Sequence, residues 1–216
     1  MSFYINNNNQ NRPGAVSGNG VQGICEKVLI EVTKVFDACV TRTTEQGLVL
    51  TATDFVPANP ALPLTFISAE SDPTNPATIT DVVITRLDTR PNFANVSGTV
   101  TIPVIINYRD ANGVLGTATS TVTQPVNAVL FVPQPALTPV IVKAMALFSS
   151  TIGTFTAPNT FTVTGCFEVI IKVTAEVDIL VPSYGYPCIP ECQVCEQQQC
   201  PGFFNTPLYP TAINNR

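Results

Sequence analysis

Histidine is absent from the sequence. That absence removes the Ser-His-Asp triad, the Cys-His protease pair and every imidazole metal ligand. Charge is also scarce: charged residues are 12% of the 216, roughly half the share of an ordinary soluble domain. The ten basic residues are scattered and the net charge is -5, which excludes nucleic acid as a partner, since phosphate binding draws on clustered Lys and Arg. Long apolar runs are missing as well. Ala128–Val132 and Val140–Phe148, the latter broken by Lys143, fall far short of a membrane span, so no membrane partner is expected. The opening Met-Ser-Phe-Tyr-Ile-Asn-Asn-Asn-Asn-Gln carries no basic region and no apolar core of a signal peptide, which predicts synthesis in the cytoplasm.

What is present is cysteine, seven in all. Cys25, Cys39 and Cys166 lie in the body, whereas Cys188, Cys192, Cys195 and Cys200 crowd near the C-terminus. Without imidazole their chemistry is disulfide formation or an all-thiolate metal site. All seven are disulfide candidates, and an odd number leaves one to pair with another molecule or stay free. The alternative is a zinc knuckle of Cys188, Cys192, Cys195 and Cys200. Cys192-x2-Cys195 makes a good half-site, but the four lack the long loop between halves that most four-cysteine sites have. No catalytic residues and no cofactor emerge. Gly18-Asn-Gly20-Val-Gln-Gly23 has dinucleotide-motif spacing but leads into a strand, not a helix N-terminus. Glu168, Glu176 and Asp178 fall on the polar face of a strand, Asp88-Thr89-Arg90 lacks an acid-protease glycine, and Asn95-Val-Ser97 is a sequon of chance frequency.

Composition divides the sequence into a flexible Asn/Gly-rich arm (1–23), a β-domain (24–182) and a Cys/Pro/Gln/aromatic tail (183–216). The middle is a series of β-branched, threonine-rich runs punctuated by Pro, Gly, Asn and Asp. Predicted strands are Cys25–Asp37, Gly47–Phe55, Leu64–Glu70, Ala77–Leu87, Asn95–Arg109, Val114–Thr123, Val126–Pro133, Val140–Ser149, Asn159–Cys166 and Phe167–Val181. Only Val140–Phe148 is ambiguous between strand and helix. In Phe167–Val181, Val169, Ile171, Val173, Ala175, Val177, Ile179 and Val181 alternate with mostly polar residues, which predicts one buried face. Asp110-Ala-Asn-Gly113 predicts a hairpin between its flanking runs. The fold class expected is all-β, an antiparallel β-sandwich or jelly roll. Cys25–Asp37 also aligns without gaps on Cys166–Asp178. Either two amphipathic strands look alike, or two neighbouring strands open with matched cysteines that bridge if their Cα atoms lie within about 7 Å.

The leaderless start, the Asn-rich arm, the Thr/Val-rich body beginning at Cys25-Glu-Lys-Val-Leu-Ile and the Cys/Pro/Gln/Tyr tail from Tyr184 to Pro210 resemble structural proteins of Firmicutes endospores, namely coat proteins and disulfide-linked appendages. The resemblance implies a self-assembling structural subunit, not an enzyme. It also implies synthesis in the mother cell, a final place on the spore or particle surface, partners that are further copies or other coat proteins, and locking by disulfides. Appendage subunits carry cysteines on an N-terminal connector, whereas most here lie near the C-terminus. The runner-up classes are a carbohydrate-binding, adhesive or phage-type jelly-roll module, and a zinc-stabilised interaction domain.

Overall fold

A computed structural model describes residues 26–183 and the backbone of Gly14–Ala15. The proposed arm and tail, with Cys25, Cys188, Cys192, Cys195, Cys200 and the glycine motif of residues 18–23, lie outside the described residues, apart from that dipeptide and Ser183. The described strands are β1 (Gly14–Ala15), β2 (Glu26–Thr51), β3 (Thr53–Val56), β4 (Thr65–Ser71), β5 (Thr78–Leu87), β6 (Arg90–Arg109), β7 (Leu115–Phe131), β8 (Ile141–Thr156) and β9 (Thr160–Ser183). They hydrogen-bond in the order β1-β2-β9-β8-β4-β6-β7-β3, with β5 also paired to β6. The ladders run antiparallel, and the fold is the expected all-β sandwich class.

The protein forms two compact units. Val32–Val177 is the larger and holds the core. The other combines Met1–Glu31 with Asp178–Arg216, and in it Gly14 and Ala15 pair with Lys27 and Glu26. In the larger unit β4 bonds both to β8, through Ala69 and Glu70, and to β6, so it joins two layers: β2-β9-β8 and β5-β6-β7-β3. Alternate residues of the long strands meet between them. Val96, Val100, Ile102, Val104, Ile106 and Tyr108 of β6 are buried, as are Phe167, Val169, Ile171, Val173 and Ala175 of β9. The expected alternation of β9 therefore holds through Ala175 and then lapses, with Ile179 37% exposed. Rings pack within the core: Phe148 against its cross-strand neighbour Phe167 at 5.1 Å and Phe66 against Phe161 at 5.7 Å. A buried aromatic of this kind contributes several kcal/mol, and its truncation costs about 3–5 kcal/mol.

The Asp110–Gly113 turn forms as expected and sets the longest ladder, Arg109↔Leu115 through Phe93↔Phe131. Gly113 has φ +84°, the left-handed conformation that glycine tolerates best. The ambiguous Val140–Phe148 lies largely in β8.

Strand breaks are where expectation and structure differ. Gln124-Pro125 does not divide β7, because partner parity turns the nitrogen of Pro125 away from β6. Phe131, six positions on, sends its N–H to Asp37 on that outward side. Proline removes no ladder bond on an open edge. The expected boundary between Cys166 and Phe167 does not divide β9 either: pairing with β8 runs through it, and a Cβ at the adjacent Gly165 would overlap the ring of Phe148, so glycine there admits a close-packed neighbour. The polar segment Thr41–Gln46 continues β2, because its outward residues need no core.

Candidate functional site

Two of the seven cysteines are described, and they differ in setting. Cys39 of β2 is half-buried against the core and Cys166 of β9 is exposed; both are free thiols. Burial pushes the Cys39 thiol pKa up, the negative charge of Asp37 adds to that, and a backbone hydrogen bond at Ile171 opposes it. Since the thiolate is the nucleophile, Cys39 is held in its inert form.

Cys166 sits in a groove of about 360 Å³ on the outer face, lined among others by Arg42, Thr44, Leu147 and Glu168. Its Sγ lies 3.6 Å from Thr44 Oγ1. Beside it Arg42 donates to both oxygens of Glu168 at 3.0 and 3.1 Å. These contacts fix the β2–β9 pairing as antiparallel: Thr44 meets Cys166 and Arg42 meets Glu168. The two look-alike segments are thus on neighbouring strands, as one reading of the internal similarity expected. Within the described residues, however, Cys166 faces the C-terminal half of β2 and not the start of its matched segment. Glu168, expected to be a solvated carboxylate, is an ion-paired one whose pKa the Arg42 hydrogen bonds hold down, with the guanidinium charge adding to the effect. Glu176 and Asp178 are exposed, as expected.

Sequence reasoning missed an edge. Among the described residues β5 pairs with β6 alone, and Val82, Val83 and Ile84 are 38%, 56% and 38% exposed. A bulge at Asp81, with φ +53°, shifts the register there and re-aims the side chains that follow it. Asp72 N donates to Pro103 O, so odd residues of β6 aim their backbone groups toward the β4/β5 side. Val83 and Thr85 oppose the odd residues Ser97 and Asn95. Ile84 and Arg86 therefore present N–H and C=O outward, the template on which another strand adds. The signal was in the sequence: three consecutive β-branched apolar residues cannot all face one core.

The other edge of this layer, β3, is blunted. β3 is four residues long, Asp54 within it has φ +50°, and only Thr53 and Val56 pair with β7. Near it lies a polar cleft of about 500 Å³ whose walls include Asp54, Asp72, Asn75, Pro103 and Thr119. Thr119 Oγ1 donates to Asp54 Oδ2 at 2.7 Å, and Thr74 donates its N–H and hydroxyl to Asp72 Oδ1 at 2.8 and 2.7 Å. Those bonds, the hydroxyl's first, lower the pKa of Asp72. Among the described residues, no three Cys, Asp or Glu side chains converge as a metal site would require.

Comparison of the sequence and fold with protein-family models, with curated proteins and with solved structures finds no match.

Proposed function

We propose that this protein is a structural, self-assembling β-sandwich subunit of a surface layer or fibre, with the spore surface as its setting and disulfides as its covalent lock. The observation that carries this reading is the β5 edge: exposed Val82, Val83 and Ile84 on a strand with outward-facing backbone donors and acceptors. A second copy supplies the strand, and the low charge of the protein offers little repulsion between copies. Cys166, exposed on the outer face, is a thiol that a neighbouring copy can reach. Locking joins two thiols as a disulfide while a low-molecular-weight disulfide takes up the two electrons and is released as two thiols.

Denaturing gels of native-source material, run with and without reductant, test the lock. High-mass species that collapse to the 23.1 kDa monomer only with reductant support it, and monomer in both lanes refutes it. Light scattering of a Val83→Lys variant under reducing conditions tests the edge separately. A lysine there puts charge on the strand, and association should fall without loss of the folded spectrum. Unchanged association would place the contact elsewhere.

The polar cleft at Asp54 and Asp72 favours a second reading, an adhesive module for neutral carbohydrate, whose hydroxyls these carboxylates and Asn75 can bind. A glycan array on wild-type protein and on Asp54→Ala decides it: signal lost in the variant supports it, and no signal from wild type refutes it.

A further inference from the structure

We infer that Asn112 is a self-modification site, converting to aspartate and isoaspartate, and that Asp110 sets its rate. The chemistry needs an asparagine followed by an unhindered residue. Gly113 follows, and no heavy atom lies within 4 Å of the point where its Cβ would stand. Asn112 itself is exposed at the tip of the β6–β7 hairpin. The Gly113 backbone nitrogen attacks Asn112 Cγ, the Cγ–Nδ2 bond breaks, and ammonia leaves. A five-membered succinimide remains. Water then opens either carbonyl, so the net change is water in and ammonia out, with no oxidant or cofactor.

The turn restrains the attacking atom. Gly113 N–H donates to Asp110 O at 3.0 Å, and it must give up that bond to attack. The Asp110 carboxylate reinforces the restraint: Oδ1 accepts from Asn112 N at 2.9 Å and Val114 N at 2.8 Å, while Oδ2 accepts from Ala61 N at 3.3 Å. Bonds to a charged acceptor are the stronger kind, so opening the turn is the step that limits the reaction. The product undoes the device. Isoaspartate adds a methylene to the backbone where the Arg109↔Leu115 pair closes, and either product puts a second negative charge beside Asp110.

The test follows the full-length protein over weeks at neutral pH by peptide mapping, which separates Asn112 from the other Asn-Gly dipeptide, Asn19-Gly20. The folded wild type should convert at Asn112 more slowly than the same protein unfolded in urea. Asp110→Ala, which loses all three carboxylate hydrogen bonds, should accelerate the folded rate at least roughly tenfold, the effect of losing even one charge-assisted bond, with Asp110→Asn in between. Phe161→Ala, destabilised through the core, should leave the Asn112 rate near that of wild type while it remains folded. A folded wild-type rate equal to the unfolded one overturns the inference, as does an Asp110→Ala rate no faster than that of Phe161→Ala.

Discussion

The seam between β2 and β7 gives the sharpest test of how the two layers are held. Among the described residues these strands share no backbone ladder, since β2 pairs with β1 and β9 and β7 with β6 and β3. Two carboxylates tie them: Glu45 Oε1 accepts from Gln124 Nε2 at 3.0 Å, and Asp37 Oδ2 accepts Phe131 N–H at 2.7 Å, while Asp37 Oδ1 accepts Ala38 N–H at 2.9 Å. In Asp37→Ala the Phe131 donor, in a part-buried position, loses its charged acceptor, which costs about 1.5–3 kcal/mol. Asp37→Asn keeps an amide oxygen within reach and should cost about half as much, in the range of neutral hydrogen bonds. With a urea m-value of about 2 kcal/mol/M, the alanine variant's midpoint should fall by roughly 1 M. Urea titration under reductant measures it, and hydrogen exchange adds a local readout, because the Phe131 amide should exchange faster in both variants. Asp37 also helps raise the Cys39 pKa, second to burial, so both variants should make that thiol somewhat more reactive. An unchanged midpoint together with an unchanged Phe131 amide would show that Asp37 adds nothing to a seam closed by apolar packing and the Glu45–Gln124 bond.

Two further outcomes follow from the thiols and the ion pair. Limited alkylation of the reduced, folded protein should modify exposed Cys166 well before half-buried Cys39, read site by site by mass spectrometry; equal rates would contradict the burial assigned to Cys39. Glu168 and Asp72 both have pKa values depressed by folding, so each contributes stability that is present above the ordinary carboxylate range and lost as pH falls through the folded-state value. Acid titration of stability should show that loss, and Arg42→Gln should remove the part belonging to Glu168; an acid limb identical in the variant would mean the exposed pair contributes nothing.

Much of the fold was legible because it rests on local rules. The Asp110–Gly113 turn was readable from Asn-Gly, and the buried face of β9 from its period of two, since turn dihedrals and strand pleat act over a few residues. The breaks assigned at Gln124-Pro125 and between Cys166 and Phe167 came from the same local rules, and there tertiary context prevailed. Pro125 is harmless because its nitrogen faces an open edge, and Gly165 is required because Phe148 packs over it. Neither the edge nor the ring is visible from the residues adjacent in sequence.

The candidate surfaces were less legible for a related reason. Counting cysteines identified candidates, but reactivity depends on burial: Cys39 and Cys166 look alike in the sequence, and only packing separates an inert thiol from an accessible one. The β5 edge is a topological property. Thr78–Leu87 reads as an ordinary strand, and it becomes an edge because β4 takes the end of β6 from Val104 to Arg109, leaving β5 the stretch from Arg90 to Thr101. Pro103 falls between the two registers, where no neighbour needs its missing N–H. The same proline that β6 tolerates therefore marks where one partner strand hands over to the other. Beyond it β5 has β6 on one side and three exposed β-branched residues to offer a second copy on the other.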